Sequence, residues 1–457
     1  MRFYEKFSLF LIAAIAFIIP IEHKYDKPLR HLAEFCIPKE PLLPEGFDTN
    51  IYFYPSDIAA LLLLFSLLLG YKLSIRRLFL EKGLFFLWIM FFCAFFSILA
   101  SPLSHYPTIY LRLLQLITPI LITAFLLHTP TSTKRMHLFF SLLIGAAGIQ
   151  SLIAICQYFS QDYLGLRLLS ESRDEPAIFS IATGRRWIFD LFSNAPILPA
   201  IIRRSSGTFP HCNVLGGFLS FSILASYSYI ANANKNLYRY GMGLLLIIQF
   251  FGLATTYSRS AIFGLAIGTG IWLAWAIGTK KKCLFLISAI SIATLLSFGL
   301  LSEQYLARGG IVNYNQTSQE SDQVRIFAQK TALNIIQDHP STGVGFQQFS
   351  MAAHSYGNPT GAHNIYLFLC SEIGICGCLA LLGFIGFTLI TAIKNPFTPQ
   401  MTSLFAALVA FLFIGGCDFY PILFQQGKLI LFLITALLLS EALQIKHTQS
   451  MEKPCLN

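Results

Sequence analysis

Apolar runs of about twenty residues, the length that a hydrocarbon layer ~30 Å thick demands of a helix, recur along the chain and leave little room for another architecture. Twelve stretches qualify or nearly so, near 7–21, 56–71, 83–100, 108–127, 137–159, 207–230, 240–256, 260–278, 283–301, 364–393, 401–417 and 424–445. Over the whole chain charge is sparse: 12% of the 457 residues are charged and 55% are hydrophobic. That balance excludes a water-soluble globule. It predicts an all-α integral membrane protein of about twelve transmembrane helices. The first run, FSLFLIAAIAFIIPI, follows Arg2 and Lys6 with no small-x-small cleavage site behind it, and reads as an uncleaved first helix.

Lysine and arginine are retained on the cytoplasmic side during insertion. With both termini inside, sixteen of the 32 Lys and Arg residues fall in cytoplasmic connections, against the four acids Glu5, Glu81, Glu441 and Glu452. The formal charge of +10 is then mostly a topology signal, and no nucleic-acid partner is implied. The ten cysteines show no CxxC pair and read as small apolar filler, with Cys36 and Cys212 able to face one oxidising compartment.

The chain divides into residues 1–206, with helices one to five and outer loops; 207–301, helices six to nine; 302–363, a large outer loop; and 364–457, helices ten to twelve with a cytoplasmic tail. Long segments at 22–55, 160–206 and 302–363 all fall outside, which makes the outer face the working face. In the last of them, SDQVRIFAQKTALNIIQDHP reads as an amphipathic helix with Ser321 as its N-cap. Val324, Phe327, Ala328, Thr331, Ala332 and Ile335 form its apolar stripe, and Pro340 is its stop. The pattern suits a helix lying along the membrane boundary or one packed on the bundle equally well.

Several arginines lie close to expected helix ends on that side: Arg203 and Arg204 in RRSSGTFPHCN, Arg259 in TTYSRSA, and Arg325 on the loop helix. A guanidinium suits phosphate oxygens through its fork of donors, although any one interfacial arginine can simply snorkel or pair with a loop acid. His363 opens the tenth helix, and an imidazole there is able to take a proton from a hydroxyl or to serve structure alone. Asn364 can orient either that ring or a substrate hydroxyl. Glu372 lies nine residues on, about 180° around and about 14 Å below His363 on an ideal helix, so a straight helix does not pair them. It reads as a brace, with a proton-path carboxylate as the alternative. His339, His354 and His363 have no metal-ligand spacing.

Four ordered pieces, RSSGTFPHCNVLGGFL, TTYSRSAIFGLAIG, VRIFAQKTALNIIQDHPSTGVGFQQF and HNIYLFLCSEIGICG, resemble motifs of the O-antigen ligase and polymerase-related family of bacterial membrane glycosyltransferases. Asp418 before FYPILFQQG is a weaker fifth piece. The resemblance implies a GT-C-like fold in the inner membrane with a periplasmic loop. It implies a glycan donor on undecaprenyl pyrophosphate, a lipid A-core or similar glycolipid acceptor, and neither nucleotide nor metal cofactor. Arg259 and Arg325 match positions that hold the pyrophosphate, and His363 matches the histidine on the acceptor side. Arg204, His211 and Asn213 match a donor-cavity motif, with Asn364 and His339 as supporting residues. Ligase chemistry is the first expectation and a repeat-unit polymerase the nearest alternative. A polyprenyl-lipid flippase or transporter is the alternative of another class. Protein O-glycosylation is not expected, because the chain ends soon after its twelfth helix.

Overall fold

In the computed structural model, the described residues are Phe10, 14–15, 19–21 and 54–452, apart from 72, 105–106, 130–132, 167–168, 170, 172–180, 185–199, 234, 281–282, 303–304, 306–315 and 358–360. Most of the first expected span and of the loop at 22–55, including Cys36, lies outside them. Among the described residues nine helices are long and apolar enough to cross a membrane, and Pro55–Leu69 and Leu284–Leu300 are shorter apolar helices. The all-α expectation holds apart from one antiparallel pair, β1 (Ile181–Gly184) with β2 (Ala200–Arg203).

The chain forms two compact units by contact. The first comprises residues 1–138, 324–397 and 415–457. It holds α1 (Pro55–Phe65), α2 (Ile75–Leu80), α3 (Leu84–Ala100) and α4 (Pro107–His128), with α1 and α3 both packed on α4. The second, residues 139–323 and 398–414, takes most of α5 (Thr133–Ser160), then α6 (Cys212–Asn232), α7 (Asn236–Thr255), α8 (Arg259–Gly278) and α9 (Leu284–Leu300). Here α6 and α9 pack on α7, and α8 packs on α6. The remaining helices are α10 (Gln316–Asp338), α11 (Phe349–Ser355), α12 (Ile365–Ile393), α13 (Pro399–Cys417), α14 (Tyr420–Leu423) and α15 (Gln425–Glu452). In the first unit α12 packs on α3 and α15, and α15 packs on α4.

Two boundaries differ from the sequence expectation. The run at 207–230 becomes helical only at Cys212, because Gly207 takes a left-handed turn (φ +61°) and His211 supplies the cap. The loop helix begins at Gln316, so Ser321 lies inside α10 and is not its N-cap. One stripe of α10, Ala328, Thr331, Ala332 and Ile335, is buried, whereas Val324 and Phe327 are exposed together with Ile326 and Leu333.

The feature that organises the first unit is a break in α12. Ile373 and Gly374 leave helical geometry, Gly374 at φ +73° and ψ 168°. A broken helix in an apolar setting strands backbone groups that water cannot reach. The segment after α10 collects them. Val344 N donates to Ser371 O at 2.9 Å, Gly345 N donates to Glu372 O at 3.0 Å, and Ile375 N donates to Pro340 O at 3.0 Å. Ser97 on α3 donates its hydroxyl to the Glu372 carbonyl as well. The approach leaves no room for side chains: a Cβ at Gly343 would sit 2.4 Å from the Glu372 carbonyl carbon, and one at Gly374 would sit 2.1 Å from Ser341 O.

Gly374→Ala therefore meets both strain, roughly 1–3 kcal/mol for so rare a backbone conformation, and overlap. Its thermal midpoint in detergent is expected several degrees below that of the parent protein. Gly386→Ala on the same helix, where a Cβ meets open space, is expected to leave the midpoint unchanged.

Candidate functional site

The expected site residues divide between the two units: Arg204, His211, Asn213 and Arg259 belong to the second, and Arg325, His339, His363, Asn364 and Glu372 to the first.

In the first unit, His363 precedes α12 in a left-handed conformation, φ 49°, one that histidine enters more readily than bulky residues do. Asn364 then caps the helix: its Oδ1 accepts from Tyr366 N at 2.9 Å and Leu367 N at 3.1 Å. Its Nδ2 donates to Gly416 O in the last turn of α13 at 3.1 Å. The amide holds the helix entry rather than the imidazole. The His363 ring meets Phe419 edge-on at 5.0 Å, and Phe419 fills the space that Gly361 leaves by having no side chain.

Asp418 lies beside that ring, its Oδ1 3.9 Å from His363 Nδ1. That distance is within ion-pair range and beyond a hydrogen bond, and the buried Nδ1 has no hydrogen-bond partner. Asp418 is nearly enclosed, and its Oδ1 accepts from Phe419 N at 2.8 Å. Arg325, half-buried on α10, lies within electrostatic reach of Cys417, the residue before Asp418. An imidazole and a carboxylate thus approach each other where the entry to α12 meets the end of α13. Below them Phe349, Phe368 and Ala362 form a small apolar core with Ile335 and Ala332 of α10.

His339 takes part through its backbone. Its N–H donates to Ile335 O, its carbonyl accepts from Gly343 N, and its side chain is exposed. Nearby, Tyr356 donates its hydroxyl to Asp338, and that bond to a carboxylate raises the phenol above its ordinary pKa. Glu372, 1% exposed, accepts from Phe349 N at 3.2 Å. Among the described residues no group of three or more His, Cys, Asp and Glu side chains is arranged to hold a metal.

In the second unit, Arg204 is a buried clamp. Its Nε donates to Thr256 O at 2.6 Å and its Nη2 to Asn213 Oδ1 at 2.5 Å. His211 caps α6, its Nδ1 accepting from Asn213 N at 3.0 Å. Arg259 is the first residue of α8, with three residues between it and the end of α7. The connection turns through Tyr257, left-handed at φ 48° and packed against Tyr305 at 5.0 Å. Buried glutamines of α5, which belong to none of the motifs, shape the adjoining turn. Gln157 Oε1 accepts from Gly207 N at 2.8 Å, its Nε2 donates to Glu171 Oε1 at 2.8 Å, and Gln150 Oε1 accepts from Thr208 N at 3.0 Å. Their signal was a pair of amides seven residues apart, on one face of an otherwise greasy helix.

Arg204→Ala strips Thr256 and Asn213 of a charged donor and is expected to cost roughly 1–3 kcal/mol of stability, read as a lower thermal midpoint. Adding Asn213→Ala should then cost little more, because both changes remove one contact.

In comparison with known proteins, residues 244–382 match the family model described as O-antigen ligase, Wzy_C. No curated protein and no solved structure matches the chain. The matched stretch includes Arg259, Arg325, His339, His363, Asn364 and Glu372, and leaves Arg204, His211, Asn213 and Asp418 outside it. Over residues 244–382, this chain of many membrane-length helices is similar to the O-antigen ligase (Wzy_C) family.

Proposed function

We propose that the protein is a glycosyltransferase of the inner membrane, with both termini cytoplasmic, that moves a preassembled glycan from undecaprenyl pyrophosphate to a hydroxyl of lipid A-core or a similar glycolipid on the periplasmic face. The observation that carries this reading is the approach of His363 to Asp418 at the head of α12, in a chain whose residues 244–382 match the O-antigen ligase family model.

The chemistry asks for two things. The acceptor oxygen must lose its proton as it bonds to the anomeric carbon, and the carbon–oxygen bond to the pyrophosphate must break as negative charge grows on the leaving group. His363 fits the first task. A carboxylate beside Nδ1 favours the tautomer with a proton there, leaving Nε2 to accept the hydroxyl's proton, and it favours the imidazolium that results. Arg325 fits the second, since a fixed cation stabilises charge that develops on phosphate oxygens. Arg259, by its resemblance to the family motif, shares that role, and Arg204, His211 and Asn213 support the donor cavity by fixing the turn before α6. Glu372, with His339 and Asn364, holds the scaffold. No metal or nucleotide is required, because the pyrophosphate is already a good leaving group.

Purified protein supplied with lipid-linked glycan and acceptor should transfer the glycan. His363→Ala is expected to slow turnover by about 10²-fold or more, and Asp418→Asn and Arg325→Ala by smaller factors. Unaltered turnover of His363→Ala would overturn its assignment. A strain lacking the protein separates the two chemistries of the family: uncapped core with long carrier-linked chains means a lost ligase, and single-repeat caps mean a lost polymerase.

A further inference from the structure

No hydrogen bond holds Nδ1 of His363: the atom is buried without a hydrogen-bond partner, and Asp418 Oδ1, at 3.9 Å, is beyond hydrogen-bond reach. The last torsion of a histidine side chain is broad and roughly two-fold, so its surroundings must select one setting. A half-turn would exchange the two edges of the ring, aim Nδ1 away from Asp418 and carry Nε2 to another place. Packing is what makes the selection, and the ring that packs on His363 belongs to Phe419, edge-on with centroids 5.0 Å apart and planes at 83°.

Phe419 is itself seated on two further sides. A Cβ at Gly361 would lie 2.8 Å from its Cζ, 2.9 Å from Cε2 and 3.1 Å from Cε1, so the tip of the ring rests where that glycine has no side chain. Gly361 is not left-handed, and the contact uses its bareness rather than its backbone freedom. On the other side is Phe368, 5.7 Å away and tilted by 36°, which in turn meets Phe349 at 5.6 Å. Phe368 and Phe349 belong to the small apolar core under the site. The backbone of Phe419 acts on the carboxylate as its ring acts on the imidazole, since its N–H donates to Asp418 Oδ1 at 2.8 Å. One residue thus touches both members of the pair.

We propose that Phe419 is a positioning residue for the transfer reaction: its ring, seated between Gly361 and Phe368, fixes the rotation of the His363 imidazole and thereby which nitrogen faces Asp418 and which faces the acceptor. This inference rests on the glycosyl-transfer reading given above. It assigns no contact between Phe419 and substrate.

The test is a double-mutant cycle in the full chain, Gly361→Ala, Phe419→Leu and both together. Its readouts are kcat and KM with lipid-linked donor, the thermal midpoint, and the rate at which diethyl pyrocarbonate modifies His363, resolved by mass spectrometry with the exposed His339 and His354 as internal references. Leucine keeps apolar volume on Phe368 but removes the ring, whereas alanine at 361 keeps the ring and displaces it. Each single change is expected to lower kcat roughly tenfold with KM for donor nearly constant. Phe419→Leu uncovers the imidazole and should raise the modification of His363 several-fold while leaving His339 and His354 as they were. In the double variant the alanine meets no ring tip, so its own effect should vanish and the double variant should match Phe419→Leu. Multiplying effects of the two changes, or a Phe419→Leu variant that leaves either kcat or His363 modification at the parent value, whatever its midpoint, would overturn the proposal. If Phe419→Leu does not accumulate, Phe419→Met takes its place in the cycle with the same expectations. Absence of transfer by the parent protein would count against the enzymatic reading alone, because the modification of His363 still reports on the imidazole.

Discussion

Everything in the first unit depends on how the interruption of α12 is satisfied. A membrane helix that breaks frees carbonyls and an amide which lipid cannot bond, and such a break persists only where protein supplies partners. Residues 340–349 supply them, backbone to backbone, and Glu372 adds its carboxylate to the amide of Phe349. The glycines at 343 and 374 follow from this contact, since the two strands of backbone lie too close for a Cβ. The break also divides one long helix into two arms. The first arm starts just after His363, and the segment after α10 fills the joint.

The two units share a local device. Tyr257 and His363 are both left-handed non-glycine residues just ahead of a helix entry, followed within two residues by Arg259 and by the Asn364 cap respectively. Residues held in that region are costly unless their surroundings fix them. Tyr257 is fixed by burial against aromatic neighbours, and His363 by the capped helix on one side and Phe419 on the other.

Much of this architecture was legible in the sequence. Hydropathy located most of the helices because length and apolar content are properties of single segments. The amphipathic loop helix was visible through its period, although its start was misplaced at Ser321 because a good capping residue also occurs inside helices. His363, Arg325 and Glu372 could be named from motifs. Their company could not: Asp418 is 55 positions from His363, and Phe349 is 23 from Glu372. Long-range pairs of this kind leave no periodic trace. The glutamines of α5 were overlooked for another reason, since uncharged amides hardly alter the hydropathy of a helix.

The meeting of α12 with the end of α13 has a mechanical side. Residues 363, 364 and 365 face 418, 416 and 415 in sequence, through the imidazole–carboxylate approach, the Asn364–Gly416 hydrogen bond, and Ile365 lying over the bare face of Gly415. Three successive contacts act like teeth of a rack. Neither segment can slide along the other without stripping all of them together, so the spacing between His363 and Asp418 is tied to two further contacts.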